Sequence, residues 1–256
     1  MHTALVNIDR LSTLGEGTYG RVVRGNVGCE DVAVKLMSQT SISSYKSEVE
    51  HLMRLWPHPH ICRILGTCAV DSELGIITEL LGEDIYTILQ REGSFSEARI
   101  RHIFYGPAQA LACMHYMGVV HCDIKLENIM LCRNGTPKII DFGLANRKCI
   151  GSISYTAPEI FKLLLCTPKR DVWALAVCMF ACLAGCFPFE EASSKDARFL
   201  HLSESGDTSI CAYLFDMYRL NKPTPEAQVL LDACFSIDAD VRPVMDDVIA
   251  NKWWHS

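Results

Sequence analysis

His121-Cys122-Asp123-Ile124-Lys125-Leu126-Glu127-Asn128, followed thirteen residues after Asn128 by Asp141-Phe142-Gly143, holds the residue types that phosphoryl transfer demands. Moving the terminal phosphoryl group of ATP to a hydroxyl needs hard oxygen ligands for Mg²⁺, a carboxylate beside the incoming hydroxyl and a cation near the transferred charge. Asn128 with Asp141, Asp123 and Lys125 can supply these in turn. Two such clusters in the right order and spacing are far harder to produce by accident than one short motif.

A third cluster lies upstream. Gly15-Glu16-Gly17-Thr18-Tyr19-Gly20-Arg21-Val22 lets backbone amides approach phosphates, because glycine removes the side chain that would block them. The same letters satisfy the dinucleotide fingerprint, but that motif needs a helix after the third glycine, and strand-like residues follow here. Arg21-Val22 also stands where a P-loop requires Lys-Ser or Lys-Thr. Next, Val32-Ala33-Val34-Lys35 places a lysine on a strand. A lysine gripping phosphates in a partly dry cleft needs a carboxylate to orient it. Glu48 is favoured, since Val49 and Leu52 mark the buried face of its helix, and Glu50 is the competitor.

The elements that must position these groups follow from pattern. From Leu11 to about Val34, glycine turns alternate with β-branched runs, which predicts antiparallel hairpins. Ser43 to Leu55 has helical spacing and is stopped by Trp56-Pro57-His58-Pro59. Gly75-Ile76-Ile77-Thr78 reads as another strand. Helices are then predicted near Ile85 to Gln90, Phe95 to Met117, Val172 to Gly185, Ile210 to Met217, Glu226 to Cys234 and Met245 to Asn251. The fold class expected is α+β: a small, mostly β lobe over 1–78 with one main helix, a linker over 79–84, and a larger, mostly α lobe over 85–256, all in one domain with a cleft between the lobes.

Composition narrows the partners. The 256 residues can bury a sizeable core, and 24 Lys plus Arg against 30 Asp plus Glu give a net charge of −6 with no basic block. Nucleic acid and anionic membrane are excluded as primary partners, and the acidic balance leans toward basic protein substrates. Thirteen cysteines without any Cys-x-x-Cys pair indicate neither a disulfide framework nor zinc, which fits a reducing compartment, cytoplasmic or nuclear. Cys178, Cys182 and Cys186 recur as a helical stripe and read as core. Val172 to Phe189 is apolar but contains Gly185 and Pro188, so it reads as a buried helix, and Met1 to Arg10 has no signal-peptide core. Fourteen residues precede Gly15, which with the end at Ser256 reads as a nearly bare catalytic domain and a monomer.

Together these motifs resemble the eukaryotic protein kinase family over nearly the whole chain, with Ala157-Pro158-Glu159, Asp171-Val172-Trp173 and Arg242 in Asp240-Val241-Arg242-Pro243 completing the set. The resemblance implies that Asp123 accepts the substrate hydroxyl's proton with Lys125 beside it, that Asn128 and Asp141 hold Mg²⁺ or a substituting Mn²⁺, and that Lys35, oriented by Glu48, contacts the α and β phosphates of ATP. It implies a nucleotide site formed by Leu14, Gly15, Glu16, Gly17, Gly20, Val22, Ala33, Thr78, Glu79, Leu81, Asp84 and Met130. Glu159 with Arg242 resembles the family's structural ion pair, and Asp171 the residue that braces the catalytic loop. Lys125 resembles serine/threonine members, and Glu127 with Asp84 implies basic residues flanking the phosphoacceptor. The runner-up is a pseudokinase that binds nucleotide or partners without transferring phosphate.

The chain departs from the family in two places. Cys122 stands where the family's His-Arg-Asp triplet carries the arginine that pairs with a phosphorylated activation segment. Leu144 to Thr156, between Gly143 and Ala157, is short for the family at thirteen residues. Either activity does not depend on activation-segment phosphorylation, or Cys122 is a tolerated substitution; a redox role for it ranks behind both.

Overall fold

The computed structural model describes residues 6–17, 20–163, 166–205 and 209–256. The strand-rich start is a five-stranded antiparallel sheet in the order β1-β2-β3-β5-β4, with β1 Asn7–Gly17, β2 Gly20–Val27, β3 Glu30–Ser38, β4 Ile64–Val70 and β5 Glu73–Glu79. A helix, α1 Ile42–Leu55, is inserted between β3 and β4. The glycine-rich run is the β1–β2 hairpin, closing at the Gly17–Gly20 pair, and its Thr18 and Tyr19 lie outside the described residues. A strand, not a helix, follows the third glycine, as the sequence requires. Gly20 could not be another residue: a Cβ there would sit 2.1 Å from the Leu36 carbonyl oxygen.

Strand alternation sorts the sheet into two faces. Val32, Val34 and Leu36 of β3 join Val23, Cys68 and Ile77 in a small apolar cluster of their own. Ala33 and Lys35 face the other way, and register places Val22 opposite Lys35 and Ala33 opposite Thr78. These four side chains therefore share the face turned toward the second half of the chain.

That half is helical. Asp84 caps α2 Ile85–Glu92 by accepting from Thr87 N at 2.8 Å, and Ser96 caps α3 Glu97–Tyr116 by accepting from Arg99 N at 3.3 Å. A short hairpin, β6 Ile129–Leu131 with β7 Pro137–Ile139, precedes α4 Pro158–Leu163, α5 Lys169–Ala184, α6 Ala197–Ser205, α7 Ile210–Met217, α8 Pro225–Cys234 and α9 Met245–Ile249. Buried residues run along α5 from Arg170 to Cys182, as an apolar sequence on every face requires. One large apolar cluster spans these helices and extends up into Met37, Ile76 and the α1 residues Val49, Leu52 and Leu55.

Boundaries differ from sequence expectation where tertiary contacts decide. α5 starts one turn early, at Lys169, because the charged Arg170 and Asp171 are buried and partnered. β4, α4, α6 and the β6–β7 hairpin are short or weakly patterned and were not expected. Cys178 and Cys182 are fully buried, and burial pushes the Cys178 thiol well up; Cys186 sits just beyond α5, half-buried. All thirteen cysteines are free thiols. Among the described residues, no helix is long and apolar enough to cross a membrane.

Candidate active site

Two loops meet under the sheet. The first, His121 to Asn128, is held from below by Asp171, fully buried in the first turn of α5. Its Oδ2 accepts from His121 N at 2.8 Å and its Oδ1 from Cys122 N at 3.0 Å, while His115 Nε2 lies 2.9 Å from Oδ2. Burial alone would raise the Asp171 carboxyl, but the hydrogen bond and charge of His115 outweigh it and hold it below the usual carboxylate range. These bonds support Cys122 in a left-handed conformation, φ 70°, that turns the chain toward Asp123.

Within the loop, Asn128 Nδ2 donates to the Asp123 carbonyl at 2.8 Å and approaches its Oδ2 at 3.3 Å, and Lys125 Nζ pairs with that same Oδ2 at 2.9 Å. The second loop, carrying Asp141-Phe142-Gly143, is tied to the first where Ile140 N donates to the Asn128 carbonyl at 3.0 Å and His121 Nε2 meets the Ile140 carbonyl at 3.0 Å.

From the sheet, Lys35 Nζ donates to both Glu48 oxygens at 2.8 Å and to Asp141 Oδ1 at 2.7 Å. Glu50 is exposed, so of the two candidate carboxylates Glu48 is the one at the lysine. Burial would lower Lys35, yet the two anions outweigh it and hold the ammonium above its ordinary range. Asp141 is lowered: burial pushes it up and the Lys35 charge more than offsets that. Burial pushes the Glu48 carboxyl up, against the pull of Lys35. With both its oxygens on one ammonium, the Lys35–Glu48 contact is an ion pair that the neighbouring Asp141 charge strains.

The donor set suits a hard cation. Asp141 Oδ1 is engaged by Lys35 and by Gly143 N at 3.2 Å, and Asn128 uses its amide nitrogen. Among the described residues, Asp141 Oδ2 and Asn128 Oδ1 carry no hydrogen bond, leaving two oxygens of the type Mg²⁺ takes alongside water and phosphate. Val22, Ala33 and Met130 are half-buried apolar residues, Leu14 is 48% exposed, and Gly15 and Glu16 are exposed in the hairpin. Glu79 binds Arg63 N at 2.7 Å and Lys138 at 2.5 Å through its side chain, and the Leu81 amide and carbonyl have no bond to another described residue. Asp84 uses both oxygens on Thr87 at the start of α2.

The protein kinase domain family model matches residues 8–254. The chain belongs to the eukaryotic protein kinase family. It is 31% identical to the "Probable serine/threonine-protein kinase KIN1 homolog" of Enterocytozoon bieneusi over 95% of this chain and 41% of that protein. It is also 31% identical to the sucrose non-fermenting protein kinase 1 of Fusarium virguliforme, over 71% of this chain and 28% of that protein. The same identity holds for the mouse NUAK family SNF1-like kinase 1, over 94% and 37%. The chain spans from 24% to 41% of the length of the curated relatives it matches.

Within this kinase fold, Arg242 is fully buried and grips both oxygens of Glu159 at 2.8 and 2.9 Å, tying the segment before α9 to α4. Three site residues had no sequence signal. The Ser152 hydroxyl donates to Asp123 Oδ1 at 2.9 Å, its amide reaches the same oxygen at 3.0 Å, and Lys125 Nζ lies 3.1 Å from its Oγ. Arg170 enters from α5, only 4% exposed, and donates to the Cys122 carbonyl at 3.2 Å and the Cys149 carbonyl at 2.9 Å. Arg147 reaches back to Ser44 of α1 at 2.7 Å. The segment after Gly143 is thus fastened to the His121–Asn128 loop through Arg170 and to α1 through the Arg147–Ser44 bond.

Proposed function

We propose that this chain is a serine/threonine protein kinase that moves the terminal phosphoryl group of ATP onto Ser or Thr hydroxyls of protein substrates, acting as one domain of two lobes joined at 79–84. The observation that carries this reading is the convergence of Asp123, Asn128, Asp141 and Lys35 on one cleft. There, Asp123 orients the acceptor hydroxyl and takes its proton, while Lys125, paired to Asp123, sets positive charge beside the transferred group. Lys35, held by Glu48, grips the α and β phosphates, and the backbone of Gly15 to Gly20 covers them. Asn128 and Asp141 hold the metal. Bound Mg²⁺, or Mn²⁺ in its place, would neutralise charge developing on the phosphate oxygens. Val22, Ala33, Leu14 and Met130 enclose the adenine ring against the Glu79 and Leu81 backbone, with Thr78 behind it and Asp84 on the ribose side.

Substrates with basic residues beside the phosphoacceptor suit the exposed Glu127, and a reducing compartment suits the free thiols. Activity independent of activation-segment phosphorylation is supported by Arg170, which spans the catalytic loop and the segment through carbonyl oxygens and needs no phosphate between them.

The test uses protein made without upstream kinases and treated with phosphatase, assayed with Mg²⁺ and ATP on a mixed peptide library. Turnover on Ser and Thr peptides is expected, strongest with basic flanks. No turnover above an Asp123→Asn control would overturn the reading in favour of a nucleotide-binding scaffold.

A further inference from the structure

The position beside Asp123 that lacks arginine carries a thiol with a partner. Cys122 is buried, and its Sγ lies 3.5 Å from the Sγ of Cys166, a half-buried residue between α4 and α5. The Cys122 thiol also meets the Val120 carbonyl at 3.5 Å. The two cysteines are far apart in sequence, and only the fold brings them together.

We propose that Cys122 and Cys166 form a redox pair, which hydroperoxides convert to an intramolecular disulfide that brakes phosphoryl transfer and small thiols restore. Sulfurs in contact need to close by about 1.5 Å to reach the ~2.0 Å of a disulfide bond.

The chemical environment separates the two roles. The hydrogen bond shared with Cys122 lowers the Cys166 thiol most, Arg170 and Lys148 add to this, and burial and Asp171 oppose it; half-buried beside a buried Cys122, Cys166 is the sulfur an oxidant meets first. Cys122 is pushed the other way by that shared hydrogen bond and by burial. The Cys166 thiolate attacks an oxygen of hydrogen peroxide, which breaks the O–O bond, releases hydroxide and leaves a sulfenic acid. Cys122 then attacks that sulfur: the S–S bond forms, the S–O bond breaks, and the Cys122 proton leaves with the oxygen as water. The two sulfurs give up two electrons to the peroxide, and a dithiol reductant returns them.

The brake follows from where Cys122 sits. Its amide is held by Asp171 and its carbonyl by Arg170, and the next residue is Asp123. Drawing the sulfur toward Cys166 pulls on the backbone that aims the Asp123 carboxylate, and a misplacement of about 1 Å can cost roughly a hundredfold in rate. Only this effect on rate rests on the kinase reading; the bond does not.

The experiment treats the whole chain with graded hydrogen peroxide, blocks free thiols, digests with trypsin without reductant and sequences the linked peptides. Expected is a crosslink between 102–125 and 163–169, with fragment ions assigning it to Cys122 and not Cys113, and a fall in activity of about tenfold or more that dithiothreitol reverses. The Cys166→Ser variant should keep its basal activity and resist peroxide. A Cys149–Cys166 link, no link to Cys166 while other cysteines oxidise, or equal sensitivity of Cys166→Ser overturns the pair. A Cys122–Cys166 bond with unchanged activity overturns the brake. Failure of the kinase reading reads differently, as no turnover in the fully reduced protein.

Discussion

The Ser152 hydroxyl donates to Asp123 Oδ1 at 2.9 Å, so the segment after Asp141-Phe142-Gly143 itself orients the catalytic-loop carboxylate. Removing either end should be felt in kcat more than in the KM for ATP. Asp123→Asn should lower kcat by about a hundredfold or more. Ser152→Ala removes a hydrogen bond to a charged group and should lower kcat by roughly tenfold, while Ser152→Thr, which keeps the hydroxyl, should retain most of it. Steady-state kinetics on one peptide substrate decide both; an unaffected Ser152→Ala would show that Asp123 needs no such prop.

Lys35 binds the two oxygens of Glu48 and one of Asp141, and burial has pushed Glu48 above the ordinary glutamate range. A carboxyl raised in this way takes up its proton at a higher pH than an exposed one. As pH falls, Lys35 therefore loses its orienting partner before ordinary glutamates titrate. The acid limb of kcat/KM for ATP should have a midpoint above the usual glutamate value, and in Glu48→Gln that limb should disappear along with about tenfold or more of the rate.

Arg170 joins the Cys122 and Cys149 carbonyls from inside the helical lobe. Arg170→Met would leave both oxygens without this donor and should cost about 2–4 kcal/mol of stability, seen as a lower denaturation midpoint. At a temperature where the variant is still folded, kcat should fall while the KM for ATP holds, since the nucleotide cleft is formed by other elements. An unchanged kcat in the folded variant would show that these two bonds do not position the loop.

Asp196 caps the start of α6 and is held to about pKa 2. Burial alone would raise it, and Arg198 with the Glu190 and Arg198 amides more than offsets that. A carboxyl lowered from 3.8 to about 2 contributes stability that is present above pH 3.8 and is lost as pH falls toward 2. Asp196→Asn should lower neutral-pH stability by about 2 kcal/mol and flatten the profile in that acid window. Chemical denaturation across pH measures it.

The residues legible in the sequence are those whose partners lie within one element or are announced by local pattern. Lys35 stands out on an alternating strand, and the apolar positions after Glu48 mark a helix face that favours it over Glu50. Helix α7 is legible to its ends in the helical pattern of Ile210 to Met217. β4 is not legible, because Gly66 and Thr67 interrupt its alternation. Asp84, expected in the nucleotide site, caps α2, a use that local sequence also permits. Ser152, Arg170 and Cys166 carry no local signal: each gains its meaning from a residue 29, 48 or 44 positions away, and nothing in their own neighbourhoods encodes that distance.

The apolar cluster of Val23, Val32, Val34, Leu36, Cys68 and Ile77 is separate from the larger one that takes in Val49, Leu52 and Leu55 of α1. Cooperativity should divide along that line. Amides of β1 and β2 should exchange with deuterium sooner than those of α1, so the glycine-rich hairpin should open while the helix bearing Glu48 stays in place.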